Sequence, residues 1–96
     1  MDITSEEAKL AVEVWGEDKQ TKMFIEEIGE FLTAWNHYNR GRISYKKYVS
    51  EIADVYIMIQ QMIYMNRPVF DKVYPEKLKK VRDKLDKAQS GDYIIK

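Results

Sequence analysis

The side chains best equipped for chemistry are carboxylates, in two short runs, Glu26-Glu27-Ile28-Gly29-Glu30 and Glu51-Ile52-Ala53-Asp54. Each run sets two acids three residues apart, Glu27 with Glu30 and Glu51 with Asp54. On a helix such residues are surface neighbours, roughly 5–6 Å apart. The apolar rhythm after each leading acid is the same: Ile28, Phe31, Leu32 and Trp35 follow Glu27, and Ile52, Val55, Tyr56 and Ile59 follow Glu51. At about 100° per residue, both pairs fall at the same border of an apolar stripe. Two helices packed along those stripes, roughly 8–10 Å between axes, bring the four acids to one place. Converging carboxylates repel one another unless a cation sits between them. Carboxylate oxygens select magnesium, manganese or calcium over zinc or copper, and magnesium completes its shell with waters and substrate phosphates. A phosphate ester is the natural guest of such a site.

Other chemistries have less behind them. There is no cysteine, which removes disulfides, zinc–thiolate sites and thiol catalysis together. His37 is the only histidine, so the paired Glu-x-x-His pattern of a di-iron bundle is absent. It is expected at the end of a helix, where it can at most touch a bound base. Ser5, Ser44, Ser50 and Ser90 have no histidine partner in sequence context, and three of them fit caps or turns. No glycine-rich phosphate loop is present, so bound phosphates would need metal and side-chain cations. Among the cations (Arg40, Arg42, Lys46, Lys47 and a lysine-rich last helix), Lys77, Lys80 and Lys84 share one helical face and are expected to reach phosphates. Alternation with Asp83 and Asp86 is equally the pattern of a solvated face.

The elements that position these groups are helices, because nothing alternates at period two for long. Thr4 with Glu7 has the form of a capping box and opens a helix over 5–15 that Gly16 stops. Asp18 is the expected N-cap of a second helix, which ends at about Asn39 before Arg40-Gly41-Arg42. Ser44 caps a third helix reaching Met65, and Pro75 fits as the first residue of a fourth that runs to about Gln89. Residues 69–74 are ambiguous, and Tyr93-Ile94-Ile95 reads as an extended apolar tail. Trp15, Trp35, Tyr38 and Tyr56 fall on core stripes by periodicity. Helix three is apolar around much of its later circumference, which in so short a chain argues for a second subunit. The expected fold is all-α: a four-helix, antiparallel, bundle-like protomer assembling into a dimer or tetramer.

Ninety-six residues make one domain, at the small end of what buries a core unaided. Sixteen basic and sixteen acidic residues cancel, so no overall field draws the chain to nucleic acid polymers or anionic membranes. The N-terminus lacks an apolar signal region, and the apolar run 55–65 is broken by Gln60 and Gln61 and too short to span a bilayer. A soluble, cytoplasmic protein is the expectation.

The two motifs resemble the signature of the all-α nucleoside triphosphate pyrophosphohydrolases, the MazG-like proteins with their dimeric dUTPase and dCTPase relatives. That signature is Glu-x-x-Glu, a variable gap, then Glu-x-x-Asp. Here it reads Glu27-Ile28-Gly29-Glu30, then Glu51-Ile52-Ala53-Asp54, with similar text at Gln20 and through 55–58, and the likeness covers roughly residues 15–65. The resemblance implies magnesium-dependent hydrolysis of a (deoxy)nucleoside triphosphate to the monophosphate and pyrophosphate, manganese being a possible substitute. It further implies that Glu27, Glu30, Glu51 and Asp54 are metal ligands, that Glu30 or Glu27 activates water, that Gln20 contacts substrate, and that the protein is a homodimer or homotetramer. Met58, where many relatives carry an aromatic residue, and Val81, where some carry asparagine, are departures that bear on nucleotide choice. Two other functions compete: a helical interaction module whose acids are only surface charge, and a nucleotide-binding sensor without turnover.

Overall fold

The computed structural model describes residues 2–91, which form four α-helices and, among the described residues, no strand. They are α1 (Ser5–Trp15), α2 (Glu17–Asn39), α3 (Tyr45–Met65) and α4 (Arg67–Ser90). The apolar tail expected at 93–95 lies outside the described residues. The chain divides into two compact units, Met1–Met65 and Asn66–Lys96.

Local signals account for most helix ends. Thr4 Oγ1 accepts the Glu7 N–H at 3.1 Å, and Glu7 Oε1 accepts the Thr4 N–H at 3.0 Å, so the capping box is complete. Those same bonds hold the Glu7 carboxyl below its ordinary range. Gly16 ends α1 and is at once the N-cap of α2, at φ 84° and ψ 157°, a region essentially reserved for glycine. Asp18 is therefore not the cap of α2: the helix has already begun, and its carboxylate pairs with Lys22 at 3.0 Å instead. Ser44 does cap α3, its Oγ accepting the Lys47 N–H at 3.1 Å.

The fourth helix starts earlier than expected. Asn66 precedes it, Pro68 lies in its first turn, and Pro75 stands inside the helix. A proline in the first turn removes an N–H that has no helical partner anyway, whereas an interior proline forfeits a bond. Contacts in the turns before Pro75 favour continuity: the Phe70 and Tyr74 rings stack at 5.3 Å, and Arg67 pairs with Asp71 at 3.3 Å. The ambiguous stretch 69–74 is thus helical.

In the first unit, α2 and α3 make the main contact and α1 packs on both. Tyr38 meets Tyr45, Phe31 meets Tyr48, and Glu27 meets Glu51 and Asp54, so the two helices run antiparallel. Tyr48 is the centre of an aromatic cluster, lying flat on Tyr38 at 5.1 Å and 9° and touching Phe31 and Trp35. Such pairs add about 0.5–1.5 kcal/mol each beyond area burial. Otherwise the apolar core is thin, with Ala8, Ala34 and Met58 as its fully buried members among the described residues. Polar ties supplement it. Gln61, 2% exposed, donates Nε2–H to the Ala8 carbonyl at 2.8 Å, and Gln60 Oε1 accepts the Ile3 N–H at 3.0 Å. The glutamines that interrupt the apolar run, together with Tyr56, whose hydroxyl donates to Asp2 Oδ1 at 3.2 Å, tie the N-terminal segment and α1 to α3.

Several residues on expected core stripes stay open. Trp35 is 47% and Tyr56 49% exposed, and Trp15, Val49, Ile52 and Ile59 are also uncovered within this chain. Periodicity finds the apolar face of a helix, but one unit of three helices has too few neighbours to cover both α2 and α3. No helix among the described residues is long and apolar enough to cross a membrane.

Candidate metal centre

Midway along α2, Glu27 points toward α3, where Glu51 and Asp54 sit one turn apart. These three residues each bring a carboxylate oxygen within 4.8 Å of the others. Their surroundings differ. Glu51 is buried, with 7% of its surface exposed, Glu27 is half-buried, and Asp54 is exposed. Glu51 Oε1 takes the ammonium of Lys47, one turn earlier on α3, at 2.9 Å. Glu51 Oε2 and Glu27 Oε2 are buried without a hydrogen-bond partner. A buried, unpaired polar oxygen costs roughly 1–3 kcal/mol, and more when it carries charge.

The electrostatics follow from that crowding. Burial pushes the Glu27 carboxyl above its ordinary 4.5; the Glu30 charge and hydrogen bond, then Asp54 and Glu51, push it further. The hydrogen bond and charge of Glu51 hold the Lys47 ammonium above its ordinary range. Both shifts describe an acidic cluster with less positive charge near it than it can use.

The donor set fits a hard divalent cation. It is all oxygen, it includes two buried oxygens with no other partner, and it holds no histidine or thiol. Oxygens sharing an octahedral magnesium at roughly 2.1 Å lie about 3–4 Å from one another. The three carboxylates would close on such an ion by small rotamer changes.

Next to Glu51 the groove between α2 and α3 widens into a cleft of about 580 Å³. One wall is the row Glu26, Glu30, Thr33 and His37 on α2, and the other carries Lys47 and Glu51. The volume is that of a small-molecule site. Gly29 is part of its floor, and a Cβ added there meets nothing within 4 Å. Glycine inside a helix costs roughly 0.5–1 kcal/mol relative to alanine, so its presence leaves open space at a cost to the helix.

Of the acids singled out in the sequence, Glu27, Glu51 and Asp54 come together, while Glu30 is not one of that trio but is hydrogen-bonded to Glu27 and lines the cleft. Gln20 is 2% exposed, and its Nε2 donates to Met23 Sδ at 3.7 Å, so in this chain it is an interior residue. Lys77, Lys80 and Lys84 are exposed on α4, in the second unit. His37, expected at the end of a helix and within reach of a bound base, is in the last turn of α2 and lines the cleft. Lys47 drew no assignment from the sequence. Its spacing of four from Glu51 was the available signal, but that spacing also describes the exposed pairs Lys9–Glu13 and Lys79–Asp83.

No protein-family model matches the chain, and no curated protein or solved structure matches it either. The likeness to the pyrophosphohydrolases therefore rests on the two acidic motifs and the residues around them.

Proposed function

We propose that this chain is a divalent-cation-dependent hydrolase that splits a nucleoside triphosphate into the monophosphate and pyrophosphate. The observation that carries the reading is the meeting of Glu27, Glu51 and Asp54 across α2 and α3 with two buried, unpartnered carboxylate oxygens. Glu27, Glu51 and Asp54 would hold the ion, magnesium by preference with manganese as substitute, and Glu30 is close enough in sequence and charge to join or support them. When bound, the ion supplies neutralisation of phosphate charge and acidifies water.

The chain's own residues do the rest. Glu30, on the cleft wall opposite Glu51, orients water and accepts its proton as the water oxygen bonds to the α-phosphorus, the α–β phosphoanhydride bond breaks and pyrophosphate leaves; Glu27, with its raised proton affinity, is the other candidate for that role. The cleft seats the nucleoside, with Thr33 and His37 offering hydrogen bonds to its polar edge. Positioning of this kind suits phosphoryl chemistry, which needs little covalent help from the protein.

Assembly as a homodimer or homotetramer is part of the same proposal. It is supported by the uncovered stripe Val49, Ile52, Tyr56 and Ile59 on α3, whose 3-4-3 spacing is that of a helix-packing seam. The same stripe is what favours the competing reading, a helical interaction module whose acids are only charge. The discriminating assay is pyrophosphate release from a panel of ribo- and deoxyribonucleoside triphosphates, in magnesium and in chelator. Magnesium-dependent release that Glu51→Gln abolishes is the expected result. A folded protein inert toward the whole panel removes the hydrolase reading and leaves a sensor, if nucleotide still binds, or an interaction module.

A further inference from the structure

Lys47 stands in a position that the hydrolase reading does not use. Its ammonium lies 2.9 Å from Glu51 Oε1, while its side chain is 60% exposed and that of Glu51 only 9%. The lysine thus reaches in from solvent to a buried acid. Among the described residues it is the one cation in an ion pair with the cluster: the other pairs join residues elsewhere on α1, α2 and α4. Three carboxylates facing one ammonium leave the cluster two charges short of neutrality. That ammonium cannot satisfy the cluster, because Glu51 Oε2 and Glu27 Oε2 keep no hydrogen-bond partner while it is in place.

We propose that Lys47 is the resident counter-cation of the cation-free cluster, and that a divalent ion entering among Glu27, Glu51 and Asp54 displaces its ammonium from Glu51 into the cleft. The inference rests on the metal-binding part of the proposed function. A doubly charged ion on Glu51 would stand within a few ångströms of the ammonium, and like charges so close repel strongly in a partly buried setting. The lysine can leave cheaply. Its stem is flexible and mostly in solvent, and the cleft that it also lines is open beside it. The exchange leaves the cluster one charge short and delivers a free ammonium to the cleft wall, where an anionic ligand would meet it.

The test uses Mn2+ alone as probe, on the full chain, with two readouts. The first is Mn2+ affinity of the wild type, Lys47→Met and Lys47→Arg. Lys47→Met removes a competitor and binds Mn2+ roughly three- to tenfold more tightly, the range for an ion pair with one partner exposed. Lys47→Arg keeps the competitor and stays within about twofold of wild type. Lys47→Met leaves the buried Glu51 Oε1 without its ammonium and lowers the melting temperature, whereas Lys47→Arg keeps a cation there; thermal melting checks that both variants remain folded. The second readout is the amine-acylation rate at Lys47 in the wild type, followed by mass spectrometry with Lys46 as internal reference. Without metal Lys47 reacts more slowly than Lys46, and Mn2+ raises its rate severalfold while Lys46 is unchanged.

If the wild type shows no saturable Mn2+ binding, the metal reading fails and this inference with it. If the wild type binds Mn2+ but acylation of Lys47 is indifferent to the ion, the metal reading stands and the displacement is refuted. Equal Mn2+ affinity in wild type and Lys47→Met refutes it as well.

Discussion

Replacing Glu27 with glutamine should make the protein more stable without metal and less stable with it. In the cation-free cluster, Glu27 lies beside the charge of Glu30, to which it is also hydrogen-bonded, and faces Glu51 and Asp54 at oxygen separations within 4.8 Å. At that distance each repulsion is about 0.9 kcal/mol in water and about 3.5 kcal/mol at an effective dielectric constant of about 20. Lys47 offsets part of the Glu51 charge, Asp54 is exposed, and Glu27 is only half-buried, so the lower end of that range applies. Glu27→Gln should therefore add about 1–2 kcal/mol in chelator. In a domain of this size that raises the melting temperature by about 4–8 °C per kcal/mol. Saturating ion reverses the order. At a hundredfold over its dissociation constant, magnesium stabilises the wild type by about 2.7 kcal/mol, and the variant, lacking one ligand charge, loses most of that gain. Thermal melts of both proteins in chelator and in magnesium, at matched ionic strength, should cross. A variant less stable than wild type in chelator would mean that Glu27 is a structural partner and not a repelled charge.

Two further expectations concern the same region. Because burial and its acidic neighbours raise the Glu27 proton affinity in the fold, the native state holds a proton there that the unfolded chain has released. The Glu27 contribution is thus most favourable at acid pH and is lost as pH rises from about 4.5 through the raised value; chelator-treated protein should show this slope in denaturant titrations, and magnesium should flatten it. Gly29→Ala should stabilise α2 by about 0.5–1 kcal/mol, since its Cβ would meet open space, while weakening any ligand that approaches the cleft floor closely. A lower melting temperature for Gly29→Ala would mean that something already packs against that face.

The sequence was most legible where a few adjacent residues decide the outcome. The Thr4–Glu7 box, the Gly16 stop and the Ser44 cap are settled within one turn of chain, and each stands where the residues place it. Pro75 misled because a proline allowed at a helix start is also allowed inside one when neighbouring contacts, such as Phe70 on Tyr74, sustain the helix. Helical spacing found Glu27, Glu51 and Asp54, because a border position on two stripes is a one-dimensional property. It could not rank them. The burial of Glu51 and the exposure of Glu30 depend on where α2 crosses α3, which spacing does not encode. In sequence Gln61 only interrupts an apolar run, yet its amide closes on Ala8 across helices. A tie between residues fifty-three positions apart leaves no local trace.

The joint at Gly16 has a consequence for how this chain can vary. With no loop between α1 and α2, one glycine sets both the angle and the rotational phase of the first helix. A residue added there would change the direction and rotational phase of α1 against the helices that it packs on. Ala8 would swing away from Gln61, and the N-terminal segment would lose its hold on Gln60. The turn at 40–44 can absorb a change of length between α2 and α3, provided the antiparallel register is kept. At Gly16 the spacing behaves like the tooth of a gear: a residue gained or lost there shifts every contact of α1 at once.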